Sequence, residues 1–114
     1  MSKSQNTRFA YLYRDACNYK VFNEIVISGI LSFEIILPSL DRRVYFIPSV
    51  VGLDDIQPEP FSCDDHIWHE VESLTQTEDD ATVNIDAQTL LRRFKEAHSR
   101  QWDEEKVFAR KGIL

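Results

Sequence analysis

The stretch FAYLYRDACNYKVFNEIVIS, residues 9–28, decides the fold of this 114-residue chain. From Phe9 to Tyr13, aromatic side chains alternate with other residues, as the two-residue period of a β-strand requires. Residues 15–20 contain the Asp and Asn that are typical of a turn. Residues 21–28 are rich in Val and Ile and predict a second strand, which Gly29 ends. Because the connection is too short for a crossover, we expect an antiparallel hairpin.

The residues on either side of this hairpin predict a flexible N-terminal tail and further short elements. Residues 1–8 are polar and are predicted to be the tail. A short helix is predicted to begin at Phe33, with Ser32 as its cap and Pro38 interrupting it. A third strand is predicted over residues 44–47, where Pro48 ends it, and the proline-containing stretch that follows reads as a loop.

The C-terminal half predicts a strand and a longer helix. Residues 66–75 predict the fourth strand, and Asp86 is the expected N-cap of a helix that reaches about Gln101. The apolar stripe of this helix consists of Ala87, Leu90, Leu91, Phe94, Ala97 and His98. The order β-β-α-β-β-α predicts one α+β domain over residues 9–114 with two layers, an antiparallel sheet of about four strands and two helices.

Charge is distributed in blocks along the chain. The net charge is −6, and residues 44–91 contain eleven acidic side chains but no Lys or Arg. A surface of one sign attracts oppositely charged partners over long distances, so this block predicts docking of a basic protein. Neutralisation by arginines such as Arg92 and mimicry of DNA phosphates are the alternatives. The acidic balance, and the acidic residues that interrupt the basic C-terminal stretch, argue against direct nucleic-acid binding.

Targeting signals and cysteine usage indicate a cytoplasmic protein. The N-terminus lacks the apolar run of a secretory signal, and the most apolar stretch, residues 25–40, is too short and too polar to span a bilayer. Cys17 and Cys63 are far apart in sequence and are predicted to be reduced thiols. A small sheet has edges with unpaired backbone groups, so self-association is a further alternative.

One segment concentrates residues that bind metals. Asp65, His66, His69 and Glu70 supply carboxylates and imidazoles, and they define the alternative function, a metal-dependent hydrolase or nuclease. On a strand, however, His66 and His69 would point to opposite faces, which does not favour a shared ion. The chain has no G-x-S-x-G, P-loop or G-x-G-x-x-G motif, so we predict no cofactor and no catalytic residue. A cysteine nucleophile paired with a histidine has no local signature.

We therefore expect a non-enzymatic module that binds a protein partner. Turns on a rigid hairpin often carry binding residues, and the acidic middle block is the other surface expected to hold a partner. The candidates for partner binding are Arg14, Asp15, Asn18, Tyr19, Asp64, Asp65 and Trp68.

Two segments carry a resemblance to other proteins. The patterns Tyr-Arg-Asp-x-x-Asn-Tyr-Lys at residues 13–20 and Asp-His-x-Trp-His-Glu at residues 65–70 resemble a group of short bacterial proteins. The stretch from Phe46 to Leu53 belongs to the same resemblance, which spans roughly residues 9–73. That group has no assigned function, so the resemblance implies no activity, cofactor or catalytic residue.

Overall fold

The protein, seen in a computed structural model, is described over residues 5–15, 17–56 and 66–110, with side chains up to residue 107. Within these ranges, four strands form one antiparallel sheet in the order β2-β1-β4-β3. The strands are β1 (Asn6–Arg14), β2 (Lys20–Ser28), β3 (Tyr45–Phe46) and β4 (His69–Thr77). The α-helices are α1 (Phe33–Ile36), α2 (Ala87–Ser99) and α3 (Glu104–Arg110). The predicted α+β class is confirmed, with three helices in place of two.

The core lies between one face of the sheet and α2. Phe9 of β1 stacks on Phe94 of α2 with ring centroids 6.3 Å apart, and Phe46 of β3 contacts the same ring at 5.6 Å. All three side chains are fully buried. Burial of each such side chain contributes about 1.5–3 kcal/mol, so the contact between strands and helix is a main source of stability.

The hairpin forms as predicted, but its first strand begins earlier than expected. Asn6 and Thr7, which were predicted to lie in the flexible tail, are buried residues of β1. The Thr7 hydroxyl donates to the carbonyl of Gly29 at 2.8 Å and accepts from the N–H of Leu31 at 2.9 Å. These bonds attach the chain that follows β2 to Thr7 and satisfy the buried N–H of Leu31, which explains why the strand extends beyond its aromatic residues.

The fourth strand begins later than predicted, at His69 instead of His66. The His66 ring accepts a hydrogen bond from the backbone N–H of Trp68 at 3.1 Å, which closes a local turn and removes this N–H from the strand ladder. Within β4, the pairing with β1 shifts after Val71, so that Glu72 is an extra residue between Val71 and Ser73. This bulge reverses the alternation of faces along the strand.

The N-cap of α2 is confirmed. The carboxylate of Asp86 accepts a hydrogen bond from the N–H of Thr89 at 2.7 Å, and this bond lowers the pKa of Asp86. The predicted stripe is buried at Ala87, Leu90, Phe94 and Ala97 and half-buried at Leu91, whereas His98 is exposed. At the predicted cap of α1, the Ser32 side chain makes no capping bond, and α1 continues after Ile36 as a 3-10 turn that contains Pro38.

The helix that was predicted to continue to about Gln101 ends at Ser99, and α3 begins at Glu104. In the described part of the chain, no helix is long and apolar enough to cross a membrane. Cys17 is an exposed free thiol. Cys63, Asp64 and Asp65 lie outside the described residues.

Candidate functional site

An open cleft of about 630 Å³ lies at the β3 edge of the sheet. Three segments surround it: the turn before β3, the turn before β4, and the connection between α2 and α3. The described residues that line it are Asp41, Arg42, Tyr45, His66, Trp68, Gln101 and Glu104.

The first wall is a tight turn that leads into β3. Asp41 and Tyr45 exchange backbone hydrogen bonds of 2.8 and 2.9 Å. Between them, Arg42 and Arg43 have φ angles of 52° and 62°. Two consecutive positive φ angles are those of a type I′ turn, which glycine or asparagine usually occupies. Two arginines with positive φ angles are therefore unusual in a turn of this type.

The second wall is a left-handed turn between α2 and α3. Gln101, Trp102 and Asp103 have φ angles of 54°, 64° and 49°, and none of them is glycine. The left-handed conformation costs about 1–2 kcal/mol for such a residue. The Trp102 ring offsets this cost, because it is buried, donates to the carbonyl of Ser39 at 3.2 Å and packs edge-on against Phe94 at 5.6 Å.

Backbone strain of this kind clusters at functional sites, where the surrounding packing maintains it. Apart from Asn18 in the β1–β2 turn, every described non-glycine residue with a positive φ belongs to one of the two cleft walls. The walls are thus held in uncommon backbone conformations on both sides of one opening.

The floor of the cleft is aromatic. The half-buried ring of Trp68 lies 6.5 Å from the ring of Tyr45 and 6.4 Å from that of Trp102. Tyr45 and Trp68 both line the opening, whereas Trp102 lies beneath it. Indole and phenol faces attract cations, and the attraction is stronger where water is partly excluded.

Among the described residues, the charged side chains that line the cleft are Asp41, Arg42 and Glu104. The Nε atom of Arg42 is 4.0 Å from a carboxylate oxygen of Asp41, and the Arg42 side chain is 85% exposed. An exposed pair at this distance contributes little free energy. The two carboxylates are therefore available to an incoming cation.

His66 fixes the segment that carries Trp68. Its Nε2 atom lies 2.7 Å from the carbonyl of Arg14 and its Nδ1 accepts from the N–H of Trp68, which assigns a neutral ring protonated on Nε2. The backbone N–H of His66 donates to the hydroxyl of Tyr13 at 3.1 Å. The two segments that carry the resemblance are thus bonded to each other, and one of them supplies the cleft floor.

His69, the first residue of β4, is completely buried. Its Nε2 accepts from the N–H of Ile56 at 3.0 Å, and its Nδ1 donates to the carbonyl of Ile67 at 3.1 Å. Both ring nitrogens are used, as they are in His66, so neither imidazole presents a free lone pair to a metal ion. Among the described residues, no three His, Cys, Asp or Glu side chains lie together as metal ligands.

The geometric premise that separated the two histidines is wrong. The prediction placed both on one strand, but His66 precedes β4 and both rings contact Tyr13, with centroids 5.0 and 5.4 Å from it. In both imidazoles, the ring nitrogens bond to backbone groups. Of the other metal candidates, Asp65 is outside the described residues and Glu70 binds Arg14 at 2.9 Å.

The partner-binding candidates in the β1–β2 turn mostly hold that turn together. Arg14 joins Glu70 to the side chain of Asn18, with a distance of 2.7 Å to the Asn18 oxygen. Asp15 accepts from the backbone N–H groups of Cys17 and Tyr19 at 2.9 and 2.8 Å. Only the Tyr19 ring projects freely, with 65% of the residue exposed.

Trp68 and His66 are the predicted site residues that reach the cleft. Asp41, Arg42, Tyr45, Gln101 and Glu104 were not predicted. One signal in the sequence pointed to them: Trp102 is an isolated aromatic residue in the polar stretch Gln101-Trp102-Asp103-Glu104, which is typical of a side chain that anchors a turn.

No protein-family model, curated protein or solved structure matches this chain. The function is therefore argued from the cleft itself, and the resemblance noted for residues 9–73 stays a prediction.

Proposed function

We propose that the protein is a non-enzymatic interaction module that binds a basic segment of a partner protein, with one Lys or Arg side chain seated in the cleft. The observation that supports this is the composition of one opening, where Tyr45 and Trp68 provide aromatic faces and Asp41 and Glu104 provide carboxylates. A cation gains from both kinds of group at once. The volume of about 630 Å³ suits one long side chain with its flanking backbone.

The charge of the chain supports a basic partner. Residues 44–91, which include Tyr45 and Trp68, contain no Lys or Arg. A partner with a basic segment would be attracted before contact, and the attraction would weaken as salt is added. We expect this module to act in the cytoplasm, where Cys17 stays a reduced thiol.

The cleft is also prepared for binding. Trp102 anchors one wall by its bond to Ser39, and the backbone bonds between Asp41 and Tyr45 hold the other. Walls that are ordered before the ligand arrives lower the entropic cost of binding. Arg42 is the side chain that must move, and its weak, exposed pairing with Asp41 makes this inexpensive.

A peptide titration tests the proposal. Two acetylated heptapeptides, Gly-Arg-Gly-Lys-Gly-Arg-Gly and the same peptide with Glu in place of every basic residue, are added to the isotopically labelled full chain. We expect the basic peptide to shift the indole N–H resonance of Trp68 in a saturable, salt-sensitive way. The acidic peptide should leave the resonance unchanged.

Two matched variants locate the site. Glu104 lines the cleft, whereas its neighbour Glu105 is also exposed and does not line it. Glu104→Gln should weaken binding of the basic peptide about two- to five-fold, in the range of an exposed charge pair, and Glu105→Gln should change little. Equal effects of the two variants, or equal binding of the two peptides, would refute the proposal.

The metal-dependent alternative has its own test. To bind a metal, His66 or His69 would have to give up a hydrogen bond to the backbone. In a titration with Zn²⁺, we expect His66→Ala to behave like the unaltered chain, because no stoichiometric binding should depend on His66. Tight binding that depends on His66 would favour the hydrolase instead.

A further inference from the structure

The described residues cover the outer side of β2 along only half of its length. Both backbone groups of Val26 bond to Thr82, the N–H to the hydroxyl at 2.9 Å and the carbonyl to the backbone N–H at 2.8 Å. Ser28 forms a bridge with Asp86. The C-terminal half of this edge strand is therefore protected by the chain that leads into α2.

The N-terminal half of β2 has no such cover. Backbone groups of alternate residues point to the same side of a strand, so Lys20, Phe22 and Glu24 direct theirs outward, as Val26 does. None of the described residues pairs with this side between Lys20 and Glu24. All three side chains are exposed, and Phe22 is 57% exposed although it is aromatic.

We infer that this half-strand is the contact surface of a symmetric homodimer, in which two copies of β2 pair antiparallel around Phe22 and join their sheets. Each copy's Phe22 then lies opposite the same residue of its partner, and the opposed residues exchange their outward N–H and C=O groups. Lys20 lies opposite Glu24 of the other copy at both ends. The open part of β2 therefore matches the same segment of a second copy, because each Lys20 faces a Glu24.

Charge selects this register over the two that are centred on Lys20 and on Glu24. A two-fold pairing centred on Lys20 would set that residue against its own copy, and one centred on Glu24 would oppose two carboxylates. Directly opposed charges of the same sign destabilise a strand pair, whereas Lys and Glu stabilise it. Pairing centred on Asn23 is blocked, because it would set Lys20 against Val26, whose outward groups already bond to Thr82.

Glu24 already has one cationic neighbour. Its carboxylate oxygen lies 3.0 Å from the Nε atom of Arg8 on β1, and the Glu24 side chain is 57% exposed. A carboxylate accepts several hydrogen bonds, so it can receive Lys20 of the second copy while it keeps Arg8. This surface is on the opposite edge of the sheet from the cleft, so dimerisation and binding at the cleft are independent.

A mixing experiment tests both the dimer and its register. Sedimentation equilibrium of the full chain from about 10 μM to about 1 mM should show a reversible monomer–dimer equilibrium, as a small interface allows. Lys20→Glu alone and Glu24→Lys alone should each raise the dissociation constant about ten-fold, because each opposes like charges twice per dimer. An equimolar mixture of the two variants restores every opposite-charge pair and should dimerise as well as the unaltered chain does.

Two controls separate the edge contact from general charge effects. Lys95→Glu makes the same charge change at an exposed position of α2 and should leave the dissociation constant unchanged. Phe22→Pro removes an N–H that points away from β1, so it should abolish the dimer while circular dichroism shows a folded monomer. A monomer at 1 mM, a mixture that stays monomeric, or an equal effect of Lys95→Glu would overturn the inference.

Discussion

The two edges of the sheet differ in how their outward backbone groups are hydrogen-bonded. At one edge, β3 has only two residues, and the backbone of Asp41 covers the outer side of Tyr45. At the other edge, β2 has nine residues, and the described part of the chain covers its outer side only at Val26 and Ser28. At both edges, outward N–H and C=O groups that are not covered can pair with a strand of another chain.

This difference separates two kinds of surface on one small domain. The closed edge directs side chains into a cleft whose walls are rigid, because strained turns and a buried indole hold them. The half-open edge presents its backbone, and a backbone edge recognises another strand. We therefore expect substitutions at the β3 edge to affect stability and those at the open part of β2 to affect association.

The largest expected effect comes from Trp102→Ala. This change removes a buried ring and its bond to Ser39, so it should lower the free energy of unfolding by about 3–5 kcal/mol. Phe22→Ala, at the other edge, should change the same quantity by less than about 1 kcal/mol, since its ring is mostly exposed. Urea unfolding of both variants at a concentration where the chain is monomeric measures the contrast. Similar losses would contradict the distinction between the edges.

A smaller effect is expected at Gly52, which follows the 3-10 turn beside β3. Its φ is 88°, and an added Cβ would meet the guanidinium of Arg93, which bonds to the carbonyl of Val51. Gly52→Ala should therefore cost about 1–2 kcal/mol. Gly52→Asn is the control, because asparagine tolerates positive φ better than alanine does. If φ is the main cause, thermal unfolding should show a smaller loss for the Asn variant.

The smallest expected effect is at Tyr11, whose side chain links β2 to the loop that contains Asp54. Its hydroxyl donates to the carbonyl of Asp54 at 2.6 Å and accepts from the side chain of Asn23 on β2 at 3.0 Å. Burial raises the pKa of Tyr11 above its ordinary value of 10.0, and the nearby Asp54 and Asp55 raise it further, although the bond from Asn23 opposes them. The hydroxyl proton of Tyr11 is needed for the hydrogen bond to the carbonyl of Asp54.

Stability that depends on this proton is fully present below pH 10 and is lost as the pH rises through the raised pKa. Tyr11→Phe should cost about 1 kcal/mol at neutral pH and should flatten this alkaline decline. Denaturant unfolding at several pH values between neutral and strongly alkaline checks the prediction. An unchanged alkaline slope in the variant would show that another group controls the decline.

The hairpin and the long helix were accessible from the sequence because their signals are local. Alternation from Phe9 to Tyr13 requires only neighbouring residues, and Asp86 caps a helix through a residue three positions away. The start of β4 was not accessible in this way. It depends on the His66 ring, whose Nε2 bonds to Arg14, a residue that is 52 positions earlier in the chain.

The cleft was predicted only in part. Trp68 and His66 were candidates because of their chemistry, but the motif that contains them gave no indication of Asp41 or Glu104 as neighbours. The left-handed turn around Trp102 contains no glycine that would indicate it in the sequence. The contacts of Trp102 with Phe94 and Ser39 make this turn stable. Strain that is maintained by tertiary packing leaves no local signal.

By itself, the sequence determined the α+β class, the antiparallel hairpin, the capped helix and the separation of charge, since periodicity, capping and composition act over a few residues. The tertiary structure alone decided which side chains share the cleft, how each histidine is bonded and which half of β2 remains uncovered. Those outcomes depend on contacts between residues that are far apart in the chain, and neither spacing nor propensity encodes such contacts.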